Sequence, residues 1–552
     1  MSTDVDWCRV VSKTSVYPPS QKKPHHVPST TMFLGQKPAK RIKIAPLRPE
    51  NDIAFQLGPY MLDENSTYNL SDLHDSKNPA SWTSALKQKK TDIRAFDDRH
   101  ISPEQLNVRT NLVETARNTL VTGEAGTGKT FTQLSLIKTL KTSGQNVFRI
   151  GPTHASVANL VEDSSTYQAF FAMPPTIDYL NPLDRKKHIK DMVSAVGRQS
   201  FIQIARHRTH EKSTLIIEEA AMISAEIVDL ILDAVETAAP GRIRVFLFFD
   251  ILQLVPVTGK LLIESSKIQA MPTLLLLKNM RQSDDDDFLD LLRAVAKGRM
   301  DEVHYSMLKS RVPFRVLDLS LKTMSTAVSS RLPLPSRRLC ARNQTVDEHN
   351  LRHLQDTSID NASPIYTSRA HDVALRRMPD YSLAKLPATI SLTKGAKIVF
   401  ESTPLHEIGL YNGITGTILD LLPTDTDILI PLVHIDKYDL AILVHPVIEE
   451  IHSVVSGATA PAIIATRTQF PFSIAEATTI HKVQGQTLTK PAEVDLQFMN
   501  SPGQVYTALS RLTKFEHLVL KNLPSMQWGG GIEPVRPSRA AIDWCKRVGL
   551  FR

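Results

Sequence analysis

The stretch Val121-Thr122-Gly123-Glu124-Ala125-Gly126-Thr127-Gly128-Lys129-Thr130 has the pattern G-x-x-x-x-G-K-[ST], which is typical of phosphate-binding loops. The apolar pair Leu120-Val121 before it has the character of a strand end, and Phe131–Leu140 after it has helical spacing. The glycines would let backbone N–H groups and the helix N-terminus face a phosphate. A glycine-rich turn can match this pattern by chance, but the flanking strand and helix favour nucleotide binding.

ATP and Mg²⁺ are the ligands that this loop predicts. Lys129 is expected to neutralise the β- and γ-phosphate oxygens, and the Thr130 hydroxyl is expected to bind Mg²⁺. The predicted nucleotide-binding residues of the loop are Gly123, Glu124, Ala125, Gly126, Thr127, Gly128, Lys129 and Thr130.

The composition is that of a globular protein with room for several domains. The 552 residues allow two to four domains, and 42% hydrophobic with 22% charged residues is ordinary for a soluble chain. The net charge of +8 favours an anionic partner, yet residues 1–90 alone hold 13 Lys and Arg against 8 Asp and Glu. Most of the excess therefore lies outside the nucleotide-binding region, and charge points only weakly to nucleic acid.

The cysteines and histidines argue against disulfides and metal clusters. Cys8, Cys340 and Cys545 are far apart and form no CxxC pair, which predicts a reducing compartment. His207 and His210 lie in a basic run without a nearby Cys or carboxylate pair, which favours a solvated face. No apolar run is long enough for a membrane span or signal core, so we expect a soluble protein without membrane association.

Residues 1–95 lack sustained periodicity and are rich in Pro, Ser, Lys, Asn and Asp, which predicts a mostly disordered tail. Within it, the run from Lys37 to Lys43 resembles a nuclear-import signal and favours a nuclear location, although basic tails contain such runs by chance. Asp4 and Asp6 argue against a mitochondrial presequence. A mitochondrial or virus-encoded protein stays an alternative, and the sequence names no partner for the tail.

Strand-like runs alternate with helical stretches after the phosphate loop, which is typical of a parallel sheet covered by helices. The runs are Val147–Ile150, Leu215–Ile217 and Val245–Phe249. Each ends in polar residues, at the carboxyl edge where such sheets bind ligands. The sequence therefore predicts an α/β fold with its site at this edge.

Two of these strand ends carry candidate catalytic residues. Glu218 is expected to hold the Mg²⁺ shell and Glu219 to polarise the attacking water. In the motif Asp250-x-x-Gln253, Gln253 can reach the γ-phosphate or its water. A polar turn after a strand is the alternative for each motif, but their position downstream of a phosphate loop indicates catalysis.

The order of the motifs resembles a superfamily 1 helicase of the Pif/RecD-like branch, from about Ser102 to Leu520. The stretches that carry the resemblance, besides the phosphate loop and the two acidic motifs, are Gln105, Gly151–Asn159, Ser165–Phe170, Lys278–Gln282, Leu339–Asn350, Gly409–Gly413, Thr479–Thr487 and Gly503–Arg511.

The resemblance implies two RecA-like parallel-sheet motor domains, with a small β-barrel inserted in the second. Short β-like runs from Lys394 to Gln469 fit this insertion, in which prolines such as Pro431 would restrict the runs to strand starts or edges. A purely structural insertion is the alternative to one that contacts DNA. The expected divisions are a tail at 1–95, the first motor domain at 96–275, the second at 276–393 and 470–552, and the barrel at 394–469.

The resemblance also implies roles for individual residues. Arg281 and Arg511 would reach the γ-phosphate, with Arg511 as an arginine finger; the alternative for either arginine is a surface salt bridge. Gln105 would read adenine, and Gly485 would lie at the nucleotide. The implied DNA contacts are Thr153, His154, Thr166, Asn343, His481 and Lys482.

The implied activity is that of a monomeric, ATP- and Mg²⁺-dependent DNA helicase that moves 5′ to 3′ on single-stranded DNA and unwinds duplex DNA in replication, repair or recombination. Glu218 stands where the family has Asp, Phe249 where it has Gly, and Ala221 where it often has Ser. These departures leave open a nucleic-acid-binding scaffold with a weakened ATPase. A viral-type RNA helicase is the third possibility.

Overall fold

A computed structural model describes the residues 74–75, 93, 96–153, 156, 164–171, 173, 187, 189–190, 213–313, 332–333, 335–375, 384, 386–401, 410, 413–423, 429–436, 439–453, 462–525 and 537–551. His154, the run from Lys37 to Lys43, and His207 with His210 lie outside the described residues, as does most of the predicted tail. The disorder and the import signal predicted for the tail therefore stay predictions.

In chain order, the strands of the described residues are β1 His74–Asp75, β2 Thr119–Gly123, β3 Val147–Gly151, β4 Ser164–Thr166, β5 Ser213–Ile217, β6 Ile243–Phe249, β7 Thr273–Leu276, β8 Arg337–Cys340, β9 Tyr366–Arg369, β10 His371–Ala374, β11 Thr389–Leu392, β12 Lys397–Phe400, β13 Thr415–Pro423, β14 Leu429–Ile435, β15 Leu440–Leu443, β16 Val447–Ser453, β17 Ala462–Gln469, β18 Phe472–Ile474, β19 Ala477–Thr479, β20 Ala492–Asp495 and β21 Leu518–Lys521.

The α-helices of the same residues are α1 Pro103–Glu114, α2 Lys129–Thr142, α3 Tyr167–Phe170, α4 Ala225–Ala238, α5 Ser266–Gln269, α6 Asp286–Lys297, α7 Glu302–Ser310, α8 Asn343–Asp360, α9 Gln504–Leu509 and α10 Arg539–Val548. Short 3₁₀ turns cover Ala220–Met222, Leu262–Glu264, Ile480–Val483 and Phe515–His517. None of the helices in the described part of the chain combines the length and apolarity that a membrane span needs.

The first sheet has the strand order β4-β3-β5-β6-β2-β7, and every pairing in it is parallel. The predicted α/β fold with a parallel sheet is therefore confirmed. The strands β5 and β6 are buried along their whole length, because helices cover both faces of the sheet. The phosphate loop joins β2 to α2 at the carboxyl edge, where β3, β5 and β6 also end.

A second parallel sheet has the order β19-β8-β20-β21. Its apolar residues, together with those of α6, α9 and α10, share one continuous buried core with one face of the first sheet. This shared core positions the later motifs against the phosphate loop. The domain boundary expected near residue 275 stays a prediction.

The region from β9 to β18 is rich in strands, and a closed barrel is not confirmed in it. With β1, its strands form three sheets, with the orders β1-β15-β14-β13-β12-β18, β10-β17-β16 and β11-β9. The bounds 394–469 expected for the insertion stay a prediction. In the described residues β1 and β18 end the first of these orders and do not pair with each other. The strands β9 and β10 precede residue 394; they are mostly exposed and so lack the apolar alternation that predicts a strand.

His74–Asp75, within the tail predicted to be mostly disordered, pairs in parallel with β15 at Ile442 and Leu443. The position expected for Pro431 needs correction. Pro431 lies inside β14, between β13 and β15, and not at a sheet edge. This position tolerates proline because the pairing with β15 begins only at Leu432, and the Pro431 carbonyl accepts a hydrogen bond from Val444 N at 3.0 Å.

Candidate nucleotide site

The phosphate loop closes tightly against the neighbouring strand. Gly126 and Gly128 have φ of +88° and +80°, in the left-handed region that favours glycine. At Gly123, a Cβ atom would lie 2.3 Å from the Leu276 carbonyl oxygen in β7. The loop can therefore take this shape only with glycine at these positions.

Lys129 opens α2 and folds back over the loop. Its Nζ donates to the carbonyl oxygens of Gly123 at 2.8 Å and Glu124 at 3.0 Å. Burial lowers the Lys129 pKa, and the carboxylates of Asp250 and Glu219 partly offset this effect. A desolvated ammonium held by carbonyl oxygens is well prepared to exchange them for phosphate oxygens.

Thr130 and Glu218 form the oxygen pair expected for a magnesium site. The Thr130 hydroxyl donates to Glu218 Oε1 at 2.7 Å. Mg²⁺ prefers such hard oxygen ligands and takes the rest of its shell from phosphates and water, so these residues fit the ion. The described residues contain no group of three or more His, Cys, Asp or Glu side chains that could hold a metal by themselves.

The second oxygen of Glu218 is ion-paired with Arg149, which sequence reasoning missed. Arg149 is only 1% exposed, and burial lowers its pKa to about 9. The available signal was an arginine in the middle of the apolar run Val147–Ile150. A buried charge of this kind requires a partner, and here the partner is a candidate metal ligand.

Glu219 has a strained backbone. Its φ of 49° is unusual for a residue with a side chain, and such outliers cluster at functional sites. Its Oε2 accepts from Gln484 Nε2 at 3.2 Å, and a Cβ built on Gly485 would lie 3.9 Å from its Oε1. The motif around Gln484 therefore lies next to the candidate water-polarising carboxylate.

A chain of polar contacts joins the end of β6 to α9. Gln253 Nε2 donates to Asp250 Oδ2 at 2.8 Å, and Gln253 Oε1 accepts from Arg511 Nη2 at 2.7 Å. The Tyr506 hydroxyl donates to Asp250 Oδ2 at 3.3 Å and accepts from Ala125 N, in the phosphate loop, at 2.9 Å. Tyr506 lies within the stretch Gly503–Arg511 that carries the sequence resemblance, but the sequence assigned it no role.

Arg281 is anchored on the phosphate loop. The preceding Met280 N donates to the Gly126 carbonyl at 2.8 Å, and Arg281 Nη1 donates to the Ser510 carbonyl at 2.6 Å. Burial and, to a lesser extent, the positive charge of Arg511 together lower the pKa of Arg281 to about 9. Two arginines from separate parts of the chain thus converge beside Lys129.

Gln105 lies against the loop with its amide engaged by protein groups. Its Oε1 accepts from Ser102 N at 3.1 Å, which completes the capping box of α1, and its Nε2 donates to the Thr127 carbonyl at 3.2 Å. The adenine contact expected of Gln105 stays a prediction.

The predicted DNA contacts lie on several elements, and their role also stays a prediction. Thr166 pairs with Gly151 at the carboxyl ends of β4 and β3, next to Thr153, and its hydroxyl caps α3. Asn343 begins α8 and is exposed. Lys482 Nζ is paired with Glu401 Oε1 at 2.6 Å, and burial lowers the pKa of the neighbouring His481.

Comparison with known proteins adds independent evidence. A protein-family model described as an AAA domain matches residues 100–314. The chain is 27% identical over 470 residues to the ATP-dependent DNA helicase PIF1 of Xenopus laevis, covering 82% of this chain but only 65% of that relative. It is 25% identical over 438 residues to the ATP-dependent DNA helicase Pif1 of Campylobacter jejuni, covering 75% of this chain and 90% of the relative.

Solved structures resemble the fold at low sequence identity. The Pif1 helicase of Candida albicans matches with a TM-score of 0.63 at 20% identity, over 81% of this chain and 99% of that one. A Bacteroides Pif1 bound to single-stranded DNA matches with a TM-score of 0.59 at 21% identity, over 81% and 96%. At these sequence identities, the structural similarity shows a shared fold.

Proposed function

We propose that this chain, a divergent member of the Pif1-like branch of superfamily 1, is a DNA-stimulated ATPase that moves 5′ to 3′ on single-stranded DNA and unwinds duplex DNA. The observation that carries the proposal is the convergence of Lys129, Arg281 and Arg511 at one buried cleft. The helicase names of the relatives and the DNA-bound structure of a similar fold support DNA as the partner.

The charges of the cleft suit a triphosphate. Burial disfavours the charged forms of Lys129, Arg281 and Arg511, and the positive charge of Arg511 further disfavours that of Arg281. Phosphate oxygens would compensate all three cations, and the compensation would be greatest as charge develops on the γ-phosphate. Bound Mg²⁺, which Thr130 and Glu218 would hold, supplies further neutralisation of the phosphates.

Glu219 and Gln253 are the proposed residues for the attacking water. The strained backbone and the Gln484 contact fix the Glu219 carboxylate, which can polarise a water molecule. Gln253 connects Asp250 to Arg511 and would transmit the loss of the γ-phosphate to α9. Hydrolysis would thereby change contacts between the two parallel sheets.

Those contacts support a motor cycle. Tyr506 to Ala125, Arg281 to Ser510 and Arg511 to Gln253 all connect elements distant in sequence across the cleft. Closure around ATP and opening after hydrolysis would move the two sheets against each other about a hinge. DNA held by Thr153, Thr166, Asn343, His481 and Lys482, together with His154, for which the sequence alone predicts a DNA contact, would then be stepped along once per cycle.

The finer parts of the proposal rest on the sequence. We propose Mg²⁺ as the metal. The run from Lys37 to Lys43 supports a nuclear location, and DNA replication, repair or recombination is the proposed cellular process. A scaffold with a weakened ATPase is the second candidate, because the ion pair with Arg149 engages the Glu218 carboxylate.

The test measures ATP turnover and strand displacement with and without single-stranded DNA. We expect DNA to stimulate turnover strongly, and a duplex with a 5′ single-stranded tail to be unwound in preference to one with a 3′ tail. Lys129→Ala is the blank and should lose turnover, because it removes the charge that compensates the phosphates. Nucleotide binding without any DNA-stimulated turnover in the wild type would instead support the scaffold.

A further inference from the structure

A buried arginine in the first sheet lies directly beside the candidate magnesium carboxylate. Arg149 is the third residue of β3 and pairs in register with Ile216 of β5. Because side chains alternate along a strand, Glu218 lies on the same face of the sheet as Arg149, one step further along. Their side chains meet there as an ion pair.

Arg149 also holds the elements on either side of Glu218. Its Nε donates to Gln133 Oε1, in the helix that follows the phosphate loop, at 2.6 Å. Its Nη2 donates to the Ser156 carbonyl at 3.0 Å. One guanidinium thus connects the phosphate-loop helix, the metal carboxylate and the segment that follows β3.

Ser156 is tied to Thr153, the proposed DNA contact at the end of β3. Ser156 N donates to Thr153 Oγ1 at 3.2 Å, and Ser156 Oγ donates to the Thr153 carbonyl at 2.7 Å. Because these two residues are cross-linked by hydrogen bonds, a displacement of Thr153 by a nucleic-acid phosphate would also displace the Ser156 carbonyl that holds Arg149.

The charge of Arg149 works against a cation at the same carboxylate. One Glu218 oxygen is engaged by the guanidinium and the other by the Thr130 hydroxyl. A divalent cation approaching Glu218 would meet a buried positive charge a few ångströms away, where the protein screens poorly. In this arrangement the Arg149 guanidinium therefore already neutralises the negative charge of the Glu218 carboxylate.

We propose that Arg149 is a positioning residue that couples DNA contact to magnesium–nucleotide binding. Without DNA it holds Glu218, and movement of the Thr153–Ser156 contact on DNA draws the guanidinium away and releases the carboxylate to the metal. This inference rests on the proposed function and adds a regulatory partner to its metal site.

The test measures binding and not turnover. MgCl₂ is titrated into the full chain with a fluorescent ADP analogue, with and without an oligo(dT) strand, and the magnesium concentration for half-maximal binding is recorded. In the wild type, DNA should lower that concentration. Arg149→Met should lower it about tenfold without DNA, because a nearby positive charge is removed, and DNA should then change it little.

Arg244→Met is the matched control. Arg244 is another buried arginine of the same sheet, 4% exposed, and it donates to Thr214 Oγ1 at 2.9 Å near the amino end of β6. Its loss should leave the magnesium requirement and the DNA effect as in the wild type. The proposal would be overturned if the two variants had the same magnesium requirement. It would also be overturned if DNA did not change the magnesium requirement of the wild type.

A double variant guards against loss of folding. Arg149→Met alone leaves a buried carboxylate without its partner, whereas Arg149→Met with Glu218→Gln removes both charges of the ion pair together. The double variant should bind nucleotide with a magnesium requirement that DNA does not change; a DNA-dependent requirement would contradict the proposal.

The outcomes separate this inference from the proposed function. If DNA stimulates wild-type turnover but the Arg149 variants bind magnesium and nucleotide like the wild type, only this inference fails. If Arg149→Met lowers the magnesium requirement but DNA does not change the rate of ATP turnover of the wild type, the proposed function fails instead.

Discussion

At the scale of single residues, the cleft depends on close backbone approaches that only glycine permits. Gly503 precedes α9 with a φ of +78°, and a Cβ there would lie 2.0 Å from the Gln253 carbonyl oxygen. The end of β6 and the start of α9 can therefore touch backbone to backbone. This contact places Tyr506 and Arg511 over the phosphate loop.

We expect Gly503→Ala to be strongly destabilising and to lose turnover, because the methyl group would push α9 away from Gln253. The left-handed backbone costs about 1–2 kcal/mol for any side chain, and overpacking adds about 1–3 kcal/mol. Thermal unfolding and ATP turnover measure the effect. Gly549→Ala is the control, since Gly549 has a φ of +81° but nothing within 4 Å of its Cβ; it should lose stability modestly and keep turnover. Equal losses in both variants would contradict the steric argument.

At the scale of elements, the C-terminal helix α10 supports the catalytic edge of the first sheet. The ring centroids of Trp544, in α10, and Phe249, the last residue of β6, lie 5.5 Å apart, and both side chains are buried. Asp250 follows Phe249 directly. Phe249, at a position where the sequence resemblance predicts glycine, is thus accommodated by an aromatic partner that the same chain supplies.

Trp544→Ala should therefore lower the free energy of unfolding by about 3–5 kcal/mol, as expected when a large buried aromatic is removed. It should also reduce turnover, because the strand end that carries Asp250 loses its support. Chemical denaturation and ATPase assays check both effects. Val303→Ala, at a position 67% exposed in α7, should leave both quantities close to the wild type. A Trp544→Ala protein as stable as that control would show that α10 does not brace the sheet.

At the scale of the whole molecule, nucleotide should stabilise the fold by relieving charges buried between the two parallel sheets. Ligand binding to the native state alone adds about 2.7 kcal/mol at a hundredfold excess over Kd. We expect ADP with Mg²⁺ to raise the Tm of the wild type.

Arg281→Gln should raise the Tm less on adding the nucleotide, since one of the charges that meet the phosphates is gone. Differential scanning fluorimetry at matched nucleotide concentrations measures the two shifts. Arg547→Gln, at an exposed position in α10, is the control and should show the wild-type shift. An equal shift in Arg281→Gln would remove Arg281 from the nucleotide site.

The sequence by itself determined the features that local physics controls. The glycine pattern of the phosphate loop and the buried strands β3, β5 and β6 follow from neighbouring residues, and the structure has each of them. The order of motifs likewise determined the fold class, because parallel strands with helical crossovers bring their carboxyl ends to one edge.

Only the tertiary structure decided which distant side chains meet. The Tyr506 hydroxyl and Ala125 N are 381 residues apart in sequence, and Arg149 finds Glu218 through the register of two strands. A closed barrel was not confirmed, because the end strands β1 and β18 of the six-stranded sheet do not pair in the described residues. The exposed strands β9 and β10 have no local signal and exist through their pairing partners. Local patterns specify elements, whereas contacts between charges and between sheet edges depend on how those elements pack.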